Sequence, residues 1–236
     1  MKVDWCHTEG QRGRTTYPKW TEAIKATGRP MVLSICEWSR DKPWEWGGTV
    51  GYMWRTTGDI ADTWSSVLSI ADRNADLHAH AGPDHWNDPD MLEVGNGGMT
   101  GDEYRAHLSL WAVMAAPLMA GNDLRAMTDE TRAILAAPEV IAVDQDALGL
   151  QGRRVSRAGE TEVWTRALAD GGYAVLLLNR GESSARIAAA FSEVARAAKF
   201  ALVRDLWERV DLGIRADAVD ATVGPHAAAL LKVSPR

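Results

Sequence analysis

Cysteine is scarce. The 236 residues contain two, Cys6 and Cys36, too few for a disulfide scaffold, and no CxxC or Cys/His cluster has metal-ligand spacing. No apolar run approaches the ~18–20 residues that cross a bilayer, which argues against a transmembrane helix and a membrane partner. Positive charge is in short supply: the net charge is −6 and the basic residues form no stripe, so a nucleic-acid partner is not expected. The opening Met1-Lys2-Val3-Asp4-Trp5 has none of the apolar stretch of a signal peptide. Internal repeats and low-complexity linkers are missing too. What is present is ordinary for one or two globular domains, with 46% hydrophobic and 25% charged residues. Phe and Tyr number only 2 and 4 against 11 Trp. Nine of those Trp fall in the first 111 residues, where they fill a core or offer flat faces on which a pyranose can stack. The excess of Arg over Lys and the abundance of Ala are of the kind a GC-rich, bacterial coding sequence produces.

Residues 1–138 alternate short apolar runs with amphipathic segments. Helices are expected over 17–27, 61–80 and 101–116, and from Asp129 to before Pro138. In the second, Trp64, Val67, Leu68 and Ala71 share a face. Thr100 and Glu103 form a capping box at the start of the third. Strands are expected at Lys2 to Cys6, Met31 to Cys36, 54–59 and 86–94. Such a rhythm implies a parallel sheet with crossover helices. Asp4, Glu37, Asp59 and Asp90 then fall at successive strand C-terminal ends, the end that carries the site in a (β/α)₈ barrel. A single such acid is more often a solvated loop residue or a helix cap; four in succession are harder to dismiss. Beyond residue 138 the pattern turns to short strands, with Asp170-Gly171-Gly172 as a hairpin signal. Residues 139–236 therefore read as an antiparallel β-sandwich, and the Ala-rich 185–198 is not taken as a helix.

Hydrolysis of a glycosidic bond needs two carboxyls flanking the anomeric carbon. Lys2, Asp4 and Cys6 line one face of a strand by its two-residue period, and Lys2 places a positive charge beside Asp4, which suits a nucleophile. Asp59 follows Arg55 by four residues; the arginine can grip a sugar hydroxyl or a carboxylate and Asp59 can act as acid/base.

With these residues in view, the sequence resembles the α-galactosidases of glycoside hydrolase family twenty-seven over nearly its whole length. Lys2-Val3-Asp4-Trp5-Cys6 is similar to the nucleophile strand, Ser34-Ile35-Cys36-Glu37-Trp38 to the next strand end, and Trp54-Arg55-x-x-x-Asp59-Ile60 to the acid/base motif. Trp86-Asn87-Asp88-Pro89-Asp90-Met91-Leu92 is similar to a segment whose second Asp binds sugar hydroxyls. The resemblance implies a retaining hydrolase of terminal α-linked galactose, acting on oligo- or polysaccharides. Asp4 would be the nucleophile and Asp59 the acid/base; Lys2, Cys6, Glu37, Trp38, Arg55, Asp90 and Met91 would bind substrate. Glu37 with Trp38 fills the C2 side and favours galactose over its bulkier N-acetyl analogue. No metal and no organic cofactor is implied; the partners are a galactoside and water. The family's cysteine partners for Cys6 and Cys36 are missing, so both are expected as buried free thiols. None of the six His has metal spacing, and ordinary surface or internally satisfied histidines are expected.

A complete barrel takes about 250 residues, and here the chain holds a sandwich as well. At roughly 30 residues per βα unit, residues 1–138 hold four or five strands. The expected fold is α/β, a (β/α)₈ barrel lacking about its first three βα units, followed by the sandwich. Other readings remain: the same mechanism on β-L-arabinopyranosides, an inactive fragment with a partial sugar pocket, or a lectin-like module. Oligomeric state and localisation are not readable, and a signal peptide would lie in the absent N-terminal part.

Overall fold

A computed structural model describes residues 1–196 and 198–236. The first layer is a parallel sheet of three-residue strands: β1 (Lys2–Asp4), β2 (Ser34–Cys36), β3 (Met53–Arg55) and β4 (Trp86–Asp88), in that spatial order. Leu92 continues beyond β4 into a parallel bridge with Ala120, donating its N–H to the Met119 carbonyl at 2.8 Å. The strands are shorter than the apolar runs suggest, because each chain leaves the sheet into a long loop as soon as its last inward residue is placed.

Helices cover the sheet: α1 (Gly13–Ala26), α2 (Trp64–Asn74), α3 (Gly101–Val113), α4 (Asp129–Leu135) and α5 (Pro138–Asp144). The Tyr17 hydroxyl anchors α1, donating to the Val3 carbonyl at 2.8 Å and accepting the Cys36 N–H at 3.3 Å, while its ring stacks on Trp5. The expected helix over 61–80 is split. Thr63 caps α2, accepting the Ser66 N–H on its hydroxyl, and residues 75–80 tighten into a 3₁₀ turn. Helix α3 opens with the capping box foreseen: Glu103 donates its N–H to Thr100 Oγ1 at 3.3 Å, and Thr100 donates its own to Glu103 Oε2 at 2.7 Å. The helical segment expected to stop before Pro138 does stop, but Pro138 starts α5 from its first position, where a proline lacks only an N–H that has no partner anyway.

The second layer holds β5 (Arg153–Ala158), β6 (Thr161–Ala167), β7 (Tyr173–Asn179), β8 (Ala185–Ala190), β9 (Phe200–Asp205), β10 (Val210–Ala216), β11 (Ala218–Val223) and β12 (Ala227–Pro235). Six strands form one antiparallel sheet in the order β10-β9-β12-β7-β6-β5, and β11 pairs with β8 in a second. Strand β7 is buried along its whole length, which is why it reads as an unbroken apolar run. Leu176 and Leu178 face a core shared with Leu108, Leu110 and Trp111 of α3, whereas Val175 and Leu177 face Ile187, Val219 and Val223 of the smaller sheet. The Ala-rich segment is not one long helix: Ala185–Ala190 form β8, and Phe191–Val194 then make a single helical turn. Strand β10 was not foreseen; it is an edge strand with a bulge at Gly213, and although Val210, Leu212 and Ile214 alternate along it, Val210 and Ile214 are exposed.

Arginines of the second layer tie it to the first. Arg180 and Arg154 reach Asp72 of α2 at 2.8 and 2.5 Å, and both also hold the buried Glu162 of β6. The buried Arg166 donates to the Ala112 carbonyl at 2.6 Å and to that of Asp144 at 3.1 Å, near the C-terminal ends of α3 and α5, where a cation is favoured.

Candidate active site

The parallel register aligns one residue from each strand at the C-terminal edge. Asp4 pairs with Cys36, and Arg55 with Asp88; the pairing of Ile35 with Trp54 sets Cys36 beside Arg55. An acid, a thiol, a guanidinium and a second acid thus form one row.

Arg55 is the hub. Its side chain is 1% exposed, and Nη2 donates to the Gly58 carbonyl at 2.7 Å, to Asp59 Oδ1 at 3.2 Å and to Asp90 Oδ2 at 2.7 Å. Burial of a guanidinium demands such partners. Asp59 itself is open to solvent, its side chain 76% exposed. Asp90 is buried, with φ at 95°, and both of its oxygens accept backbone N–H groups, from Ile60 at 2.9 Å and from Met91 at 2.8 Å. Met91 is exposed at the rim.

The Cys36 thiol is buried and faces Asp4. Burial, and then its hydrogen bond to the Asp4 carboxylate, push it up to about 12, while the charges of Lys2 and Arg55 act the other way. It is a thiol and not a nucleophile at neutral pH. Cys6 departs from expectation: it is exposed, because β1 ends at Asp4 and the chain turns outward after Trp5. Lys2 and Asp4, two residues apart on β1, are both exposed, whereas Cys6 lies beyond the strand in a turn, so the single strand face expected for the three reaches only the first two.

Glu37 directly follows β2. Its Oε2 accepts the Asp41 N–H at 2.7 Å and its Oε1 is buried without a partner among the described residues. Burial raises its pKa to about 7. The carboxylate closes a tight loop in which Trp38 and Ser39 both take left-handed backbone, with φ of 54° and 64°. Such strain in non-glycine residues concentrates at functional sites. The Arg40 guanidinium lies 5.1 Å over the Trp38 ring. A cavity of about 710 Å³ opens here, with Cys6, Gln11, Arg12, Glu37, Trp38 and Arg40 among its walls. Asp4 and Asp59 are not among the residues lining it.

The structure therefore gathers Asp4, Arg55, Asp59 and Asp90 along one strand-end row, with Cys6, Glu37 and Trp38 on a cavity wall beside it. Sequence reasoning missed Asp88 and Asp41, and gave the side chain of Cys36 no role. The alternation of residues within β2 signals the last of these; the first two act through backbone contacts that have no sequence signature. Among the described residues, no group of three or more His, Cys, Asp or Glu could hold a metal ion.

Parallel strands that carry carboxylates to one edge, followed by antiparallel sheets, define an α/β layer with an appended β-sandwich. Residues 1–146 match the family described as Alpha galactosidase A, and residues 158–233 match the Alpha galactosidase C-terminal beta sandwich domain. The chain belongs to the alpha-galactosidase A family. Alpha-galactosidase 2 of Arabidopsis thaliana is 44% identical over the whole chain, which spans 60% of that protein. Alpha-galactosidase A of Cellvibrio japonicus is 50% identical over 78% of the chain and 48% of its own length. Among solved structures, alpha-galactosidase I from Mortierella vinacea superposes with a TM-score of 0.95 at 33% identity, over 98% of this chain and 66% of that one. The β-L-arabinopyranosidase of Geobacillus stearothermophilus superposes at 0.90 with 28% identity, over all of this chain and 57% of that one. The chain thus spans about 60% of the first of these curated relatives.

Proposed function

We propose that this chain carries the reacting carboxyls of a retaining α-galactosidase. Asp4 attacks the anomeric carbon while Asp59 gives a proton to the departing glycosidic oxygen; a water, deprotonated by Asp59, then releases galactose from Asp4. The observation that carries this reading is the Arg55 hub. One guanidinium fixes Asp59 and Asp90 on the same strand-end row as Asp4, at the edge where a barrel does its chemistry. Glu37 and Trp38 stand on the C2 side of the sugar, Lys2, Cys6 and Arg55 contact its hydroxyls, and Asp90 and Met91 close the pocket. The chemistry needs no metal and no organic cofactor. Residues 1–138 act as the catalytic part and 139–236 as a buttressing sandwich.

The protein as its gene encodes it is expected to turn over p-nitrophenyl α-galactoside. Asp4→Asn should remove that turnover by ~10³-fold or more without lowering the melting temperature. Unchanged turnover in the variant excludes Asp4 as nucleophile. The arabinopyranosidase likeness supports a second reading, the same steps on a β-L-arabinopyranoside, which a higher kcat/KM for the p-nitrophenyl arabinopyranoside would establish.

A further inference from the structure

Asp88 has no role in the chemistry above, yet it is 4% exposed at the last position of β4, next to Arg55. Its Oδ1 accepts the N–H of Asp90 at 2.9 Å, across Pro89. Asp90 is held there with φ at 95°, a left-handed conformation costly for a side chain with a Cβ. Trp111 of α3 donates its indole N–H to the Asp90 carbonyl at 2.8 Å and so fixes the peptide on the other side of the same residue. The Asp90 carboxylate is thereby aimed back at the loop after β3. It takes the N–H of Ile60, the residue after Asp59, and the same Nη2 of Arg55 that touches Asp59 and the Gly58 carbonyl. Three consecutive residues, 58 to 60, are tethered to two points that are themselves joined. The one exposed member of the set is the Asp59 side chain.

We propose that Asp88 and Asp90 form a positioning relay for the acid/base Asp59. Asp88 holds the strained Asp90 backbone, Asp90 holds Arg55 and the Ile60 N–H, and these two place the Asp59 carboxyl. Asp88 touches no reacting atom in this scheme; it is a positioning residue. Asp90 is oriented by the protein on both oxygens before any sugar arrives. The inference rests on the reading of Asp59 as acid/base, and it makes a demand that general support of the core does not. Loss of the relay should penalise proton donation, and so should matter most when the leaving group needs a proton.

The test compares melibiose, whose sugar leaving group must be protonated, with 2,4-dinitrophenyl α-galactoside, whose phenolate leaves unaided, in the protein as encoded. Asp88→Ala is expected to lower kcat/KM on melibiose at least about 10-fold more than on the dinitrophenyl substrate. Asp88→Asn, which keeps an oxygen acceptor for the Asp90 N–H, is expected to hold the ratio near that of the parent. Equal losses on both substrates, or an Asn variant as skewed as the Ala variant, overturn the relay. If D88A does not fold, Asp88→Glu, which keeps the carboxyl but displaces the acceptor, carries the same comparison. A parent protein that hydrolyses neither substrate overturns the functional reading instead. The relay is then decided by a crystal structure of the D88A or D88E protein: a displaced Asp90 with the Ile60 N–H released supports it, and both unmoved overturn it.

Discussion

Glu37 shows how far a single residue could be read from the sequence. Its place at a strand end was legible, because a buried apolar strand ending in an acid and a tryptophan is a local pattern. Its second task was not. One carboxylate oxygen is bound by the Asp41 N–H and props up two left-handed residues, and the other is buried without a partner among the described residues. Burial raises its pKa from 4.5 to about 7, so between those values the folded chain holds a proton that the unfolded chain has released. The sign follows: this group favours the folded state at low pH, and its contribution is lost as pH rises through that window. Stability measured by denaturant melts at pH 4.5 and pH 7 should therefore fall less in Glu37→Gln than in the parent; an identical decline in both would exclude the assignment. Cys6 marks the opposite outcome. Its identity suggested burial, but burial is decided by where β1 ends. Asp88 and Asp41 act by accepting or donating across a loop, a role that many residue types can fill.

At the scale of elements, periodicity revealed most of the α/β layer and composition most of the sandwich. Helix α2 was legible because one face alone is apolar. Helix α3 is different: Tyr104, Ala106, Leu108, Leu110, Trp111 and Val113 are buried on all sides, since it is pressed between the neighbouring helices α2, α4 and α5 and the six-stranded sheet. Its start was found from the capping box, a chemical signal that does not depend on amphipathicity. Thr100→Ala removes one half of that box and should cost about 1 kcal/mol. The loss should appear in denaturant melts and as faster amide exchange in the first turn of α3; no change in either would show that the helix is held by packing alone. Strand β10 was passed over although Val210, Leu212 and Ile214 alternate along it, and the break within 61–80 is not set by local pattern. The first is an edge strand, and the second a helix end tightened by tertiary contacts.

For the whole molecule, the change from helical to strand pattern along the chain was readable, but α5 (Pro138–Asp144) still belongs with the first layer's helices, and the way the layers are joined was not readable. Asp72, Arg154 and Glu162 come from α2, β5 and β6 and Arg180 from the loop after β7, and only the folded chain puts them within 3.1 Å of their partners. Arg166 caps two helices of the other layer. The sandwich thus holds α2, α3 and α5 against the sheet, and through them the row of Asp4, Cys36, Arg55 and Asp88. The central claim is that this row performs a double displacement with Asp4 as nucleophile. Its most direct test is the stereochemistry of the first product: proton NMR during hydrolysis of p-nitrophenyl α-galactoside by the protein as encoded. The account predicts that α-galactose appears first and the β-anomer only later, by mutarotation; β-galactose as the first product would contradict it.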